Sequence, residues 1–185
     1  IDPTTWEYSE LKQVPSGGYV VYVNNKDGTP IRLQIGDPRD MKKRLRAPFG
    51  HQRTAREGTP CNENKRNLLL QFYDSDELAE FWKSVDAHNV SWAFQNCKKL
   101  FGVDIDEATL KSVLYKDCLI HNNPDYPPCV RAKIILEGRN ATNFFTWGTD
   151  ASGADIYTPA TAGDLERGMN VVVILRTPGL WFMSK

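Results

Sequence analysis

The 185-residue sequence has no net charge, since 23 Lys and Arg balance 23 Asp and Glu. It has no apolar run near the roughly 18 residues that a membrane-spanning helix needs, so no membrane partner is expected. Histidine is scarce, with three residues, and the four cysteines (Cys61, Cys97, Cys118, Cys129) include no C-x-x-C pair. A zinc site draws on close ligand pairs, so no metal or other cofactor is expected, and the thiols are expected free in a reducing compartment. The sequence also lacks G-x-S-x-G, H-E-x-x-H and G-x-x-x-x-G-K-[ST]. Its carboxylates gather at predicted helix starts (Asp74, Asp76, Glu77; Asp104, Asp106, Glu107), where capping and the helix dipole account for them. The expectation is a protein without catalytic residues. No basic-then-apolar leader opens the sequence, so the tripeptides at Asn89 and Asn140 are discounted as glycosylation sites and an intracellular location is expected.

What the sequence does have is separated charge. From Arg39 to Arg66 there are nine cations (Arg39, Lys42, Lys43, Arg44, Arg46, Arg53, Arg56, Lys65, Arg66) against three acids (Asp40, Glu57, Glu63). A neutral chain that segregates its charge this way offers a basic surface to an anion, and a polyphosphate backbone is the commonest such partner. Gly50, Gly58 and Pro60 break up any helix there, which predicts a long loop or irregular hairpin, disordered around residues 57–64.

Local patterns predict α+β architecture. Gly18 to Asn24 reads as a strand, the Asp27-Gly28 step as a hairpin turn, and Ile31, Leu33 and Ile35 as the inward face of its partner. Asn67 to Tyr73 reads as a buried strand. A helical region follows from Asp74, with Leu78, Phe81, Val85 and Trp92 facing the core and Asn89 marking a break. Lys98 and Lys99 before Gly102 form a helix exit, and Asp106 caps a short helix from Glu107 to about Tyr115. Cys129 to Leu136 alternates as a strand, with 142–147 as its antiparallel partner. Residues 150–163 read as a loop, Asn170 to Arg176 as a strand, and Leu180 to Met183 as the last strand. Strands in this number with a helical insertion predict one domain over residues 1–185, a small Greek-key barrel.

Single strands are gripped by cations on phosphates and flat rings on bases. The candidate phosphate contacts are Lys42, Lys43, Arg44, Arg46, Arg53, Arg56, Arg131 and Lys133, the last two sharing a strand face by their period of two. The candidate stacking rings are Phe49, Phe144, Trp147 and Trp181. Trp181 and Phe182 are adjacent, so one of them is core and the other free for a ligand.

Taken in order, Ala47-Pro48-Phe49-Gly50, the Asn67–Tyr73 strand, Asn96-Cys97-Lys98-Lys99-Leu100-Phe101-Gly102, Asp125-Tyr126-Pro127-Pro128 with Arg131 and Lys133, and Gly168…Val171-Val173 leading to Gly179-Leu180-Trp181-Phe182 form a pattern. From about Arg32 onward it is similar to the OB-fold single-stranded DNA-binding proteins of large DNA viruses and certain bacteriophages. That resemblance implies an OB-type barrel with a helical insertion, and a non-catalytic, sequence-independent single-stranded DNA-binding protein of replication, recombination or repair. It implies single-stranded DNA, replication proteins and further copies of the chain as partners, at the site of DNA replication in an infected cell or nucleus. Family members usually run on past Gly-Leu-Trp-Phe, many into an acidic tail, which suggests that the sequence ending at Lys185 is a piece of a longer chain. The cations between His51 and Lys65 are assigned by charge and not by motif. Two alternatives stay open: single-stranded RNA as the ligand, or an assembly module that docks an acidic protein with the basic arm.

Overall fold

The computed structural model describes residues 2–15, 18–40, 43–53, 62–72, 76–121 and 123–182. It is mixed α+β with mostly antiparallel strands, and among the described residues these form five separate sheets with no closed barrel. The chain divides into two compact units, residues 1–34, 76–119 and 174–185 in the first and 35–75 and 120–173 in the second. Each is assembled from distant segments, so no linker marks the division in the sequence.

The first unit is organised around the helix Asp76–Gln95. Its inward side carries Trp82, Val85, Asp86, Asn89, Val90 and Ala93, a helical repeat that includes two polar residues. Both polar groups are satisfied. The Tyr115 hydroxyl and the Cys118 amide donate to Asp86 Oδ1 (2.8 and 2.9 Å), and the Leu119 amide donates to Oδ2 (3.2 Å). Asn89 Nδ2 donates to the Tyr115 hydroxyl (3.0 Å), and Asn89 Oδ1 accepts from the Tyr8 hydroxyl (2.7 Å). Asn89 is therefore no helix break, because its side chain is held within the unit and the helix runs through it. Tyr8 also stacks on Trp92, with ring centroids 4.4 Å apart. Burial, assisted by the Asp86 charge, pushes the Cys118 thiol up to about 12.

The predicted local signals beyond that helix are present. Gly102 ends Cys97–Phe101 in the left-handed conformation (φ 75°) with its amide on the Lys98 carbonyl. Asp106 Oδ1 accepts from the Thr109 amide to cap Glu107–Thr109, which widens into a π-type turn over Leu110–Leu114. The predicted hairpin after Asn24 is corrected. The turn forms, with the Gly28 amide on the Asn25 carbonyl, but the return strand makes only an isolated Asn24–Pro30 bridge. Arg32–Ile35 pairs instead with Val173–Arg176, which are separated from Met169–Val171 by an interruption at Val172.

The last strand, Leu180–Phe182, pairs with Tyr19–Val21. Trp181 is the outward member of its pair at 58% exposed, while Phe182 packs edge-on against Phe101. The close approach depends on Gly179 at φ 142°, because a Cβ there would overlap the Val21 carbonyl oxygen.

The second unit contains a six-stranded sheet in the order Met169–Val171, Leu45–Ala47, Lys65–Gln71, Cys129–Ile135, Leu119–Ile120, with His51–Arg53 also on Lys65–Gln71. Of the two forms that the sequence allows for the basic segment, long loop or irregular hairpin, the antiparallel pairing of His51–Arg53 with residues 66–68 fits the hairpin. Of the stretch 57–64 expected to be disordered, residues 57–61 lie outside the described residues and 62–64 are instead part of a turn. A separate two-stranded sheet joins Phe144–Thr149 to Asp155–Ala160. Two expectations are corrected here. The partner of Phe144–Thr149 lies in the segment read as a loop, and 142–147 is not the partner of Cys129–Ile135. It touches that strand through Thr142, whose amide reaches the Ile135 carbonyl and whose hydroxyl accepts from the Ile135 amide.

Gly179→Ala is expected to cost about 2 kcal/mol or more, because both the positive φ and the missing space oppose a side chain. A drop in denaturant midpoint measures it, and an unchanged midpoint contradicts the packing described.

Candidate nucleic-acid interface

The two faces of the six-stranded sheet differ sharply. Arg131 lies opposite Leu69, Lys133 opposite Asn67 and Ile135 opposite Lys65, and Gln52 also lies opposite Asn67. At the other end Asn170 lies opposite Arg46, and Arg46 opposite Gln71. Directly opposed residues share a side of the sheet, so Arg46, Lys65, Arg131 and Lys133 point one way, all exposed. Leu45, Ala47, Leu68, Leu70, Val130 and Ile134 point the other way, all buried.

The strands of this sheet contain Arg46, Arg53, Lys65, Arg66, Arg131 and Lys133 and no carboxylate. The unit as a whole is close to balanced, and among the described residues its acids lie outside the strands of this sheet. The positive field of the outer face is therefore a product of placement and not of net charge. Among the described residues Lys65, Arg131 and Lys133 have no carboxylate partner. Residues two apart on a strand stand about 7 Å apart, and neighbouring strands about 4.8 Å apart, so these three cations, on two neighbouring strands, span a strip roughly 5 Å wide and about 14 Å long.

The predicted residues divide as follows. Arg46, Arg131 and Lys133 are brought together, and the Arg46 guanidinium lies over Gly168, where a Cβ would stand 3.5 Å from Nη2. Arg53 is not with them, because it lies directly opposite Arg66 and takes the side of Leu68. Lys43 sits 3.7 Å from the Asp40 carboxylate. Arg44 donates to the Pro38 carbonyl and lies over the Trp147 ring, 5.5 Å from its centroid. Phe49, 49% exposed in the turn between Leu45–Ala47 and His51–Arg53, has the Arg167 guanidinium 5.9 Å from its ring. Lys42 and Arg56 lie outside the described residues. Trp181 belongs to the first unit.

On the hairpin, Phe145 lies opposite Pro159 and Trp147 opposite Tyr157, so Phe145, Trp147 and Tyr157 share one side. Phe144 lies opposite Ala160 on the other side and is half-buried, which separates it from Trp147. The Trp147 Nε1–H donates to Asp155 Oδ1 (3.0 Å), which also accepts from Arg39 Nε (3.1 Å) and Nη2 (2.9 Å). The indole hydrogen bond, and then the Arg39 guanidinium, hold the Asp155 carboxyl below the ordinary value.

Lys65, Arg39, Phe145, Tyr157 and Asp155 are the residues that sequence reasoning did not select. The period of two from Trp147 back to Phe145 was an available signal for one of them. Tyr157 was hidden in a segment that reads as a loop.

Among the described residues no group of three His, Cys, Asp or Glu is placed to hold a metal ion, and no helix is long and apolar enough to cross a membrane. No protein-family model, curated protein or solved structure matches this chain.

The Asp155 clasp needs the ionised carboxylate. Because its folded pKa is lowered, the contribution is complete above the unfolded aspartate value of about 3.9 and is lost as pH falls through the lower folded value. The fluorescence difference between the native protein and Trp147→Phe is therefore expected to titrate below the ordinary aspartate range, while far-UV circular dichroism is still native. A transition at or above that range contradicts the clasp.

Proposed function

We propose that this chain is a non-catalytic, sequence-independent binder of single-stranded nucleic acid, with single-stranded DNA as the ligand, acting in replication, recombination or repair. The observation that carries this reading is the outer sheet face, where Arg46, Lys65, Arg131 and Lys133 are exposed on strands without a carboxylate. A row of this kind suits a chain of phosphates read without regard to sequence. Exposed rings in the same unit (Phe49, Phe145, Tyr157) supply flat surfaces for bases that only an unpaired strand presents.

The fold-level part of the proposal is an OB-type arrangement. Its support is the antiparallel pairing of Lys65–Gln71 with Cys129–Ile135 across a helical insertion, together with the motif order that resembles the viral and phage proteins. Replication proteins and further copies of the chain are the proposed partners.

The test is binding of labelled dT, rU and duplex oligomers over a range of salt. Four neutralised phosphates predict a slope of log K against log salt near −2.8, at about −0.7 per contact. The double variant Arg131→Ala, Lys133→Ala is expected to reduce that slope by about 1.4. Tighter binding of rU makes RNA the ligand, and a slope near zero in the native protein overturns the proposal.

A further inference from the structure

We propose that the hairpin of Phe144–Thr149 and Asp155–Ala160 is a stacking arm for unpaired bases, with Phe145, Trp147 and Tyr157 as its platform and Asp155 as a positioning residue. The inference rests on the nucleic-acid reading above and deepens it. Among the described residues neither strand of the arm pairs with a strand outside it, and isolated two-stranded hairpins hold their shape poorly in water. This one is held at the Trp147 indole. Asp155 Oδ1 joins the Trp147 indole to Arg39, whose Nη2 also reaches the Gly153 carbonyl (3.5 Å), and Arg44 covers the Trp147 ring. Arg39 and Arg44 come from the same short stretch of chain, residues 37–44, so one segment fixes the edge and a face of a single indole.

The platform has rings but no ring partners. Phe145 and Tyr157 are each 57% exposed, and among the described residues none of the three rings contacts another ring. Phe145 and Trp147 are two residues apart on one strand, hence about 7 Å apart, twice the roughly 3.4 Å rise of stacked bases. That gap accepts one flat heterocycle. Tyr157, across the ladder from Trp147, extends the same side.

Base faces fit this platform better than an apolar protein surface does. The charged groups that frame it are guanidiniums, and its carboxylate, Asp155, is already engaged by Arg39. Besides the rings, the same side of the arm carries Pro159, Thr149 and Asp155. In this arrangement Arg44 acts by holding Trp147, and the phosphate contacts belong to the sheet face.

Stacking and phosphate neutralisation separate in a salt titration, because only the second releases counterions. The experiment measures dT-oligomer binding at several salt concentrations for the native protein, Phe145→Leu/Tyr157→Leu and Asp155→Asn. The leucines keep apolar bulk and remove the flat rings, and circular dichroism confirms that each variant is folded. The expected result is about tenfold or greater loss of affinity for the leucine variant at every salt concentration, with unchanged slope. For Asp155→Asn it is a severalfold loss, unchanged slope and weaker quenching of Trp147 by the oligomer. Unchanged affinity in both variants, or a loss that appears as a smaller slope, overturns the stacking arm while leaving the sheet-face reading intact. Absence of binding by the native protein overturns both.

Discussion

Seven consecutive residue pairs hold Lys65–Gln71 against Cys129–Ile135, and their register decides which way each cation in the sheet points. Leu68, Leu70, Val130 and Ile134 are buried because Asn67, Leu69, Arg131 and Lys133 face the other way. A slip of one residue would turn Arg131 and Lys133 into the core and bring apolar side chains out to water, which costs far more than any pairing energy recovers. The basic face is thus fixed by the hydrophobic core behind it. Arg66 shows what an exception needs. It is a cation on the buried side, and its Nη1 donates to the Glu63 and Lys65 carbonyls (2.7 and 2.9 Å), with the Glu63 carboxylate 3.6 Å from Nη2.

The same core argument explains how a protein with no net charge can present a strongly positive strip. Strands buried on one side and wet on the other place alternate residues in each environment. The described acids of the second unit lie off this sheet, as at Asp150, which accepts from the Ser152 and Ala154 amides, and in the hairpin clasp at Asp155. Separation of charge along the chain becomes separation across a surface. The first unit handles its buried polar groups differently, by closing Asp86, Asn89, Tyr8 and Tyr115 into one hydrogen-bonded set around a single helix.

What was legible in the sequence was local. The Asp106 cap, the Gly102 exit, the alternation that faces Arg131 and Lys133 outward and the concentration of cations after Arg39 all depend on neighbours within a few residues. Strand partners were not legible, because Arg32–Ile35 finds Val173–Arg176 across most of the chain and nothing in either segment names the other. Polar residues misled for a related reason. Asn89 reads as a helix break only while its partners Tyr8 and Tyr115 are unknown. At the site, Phe144 was preferred to Phe145 because proximity in sequence carries no facing, and the pairing with Asp155–Ala160 supplies it.

Lysine footprinting tests the central claim most directly. Lys65 and Lys133 lie on the carboxylate-free face, whereas Lys83 and Lys111 are exposed on the helical part of the first unit. With a saturating dT oligomer present, acylation read by mass spectrometry is predicted to fall at Lys65 and Lys133 and to stay unchanged at Lys83 and Lys111. Equal labelling of Lys65 and Lys133 with and without bound oligomer would contradict the account.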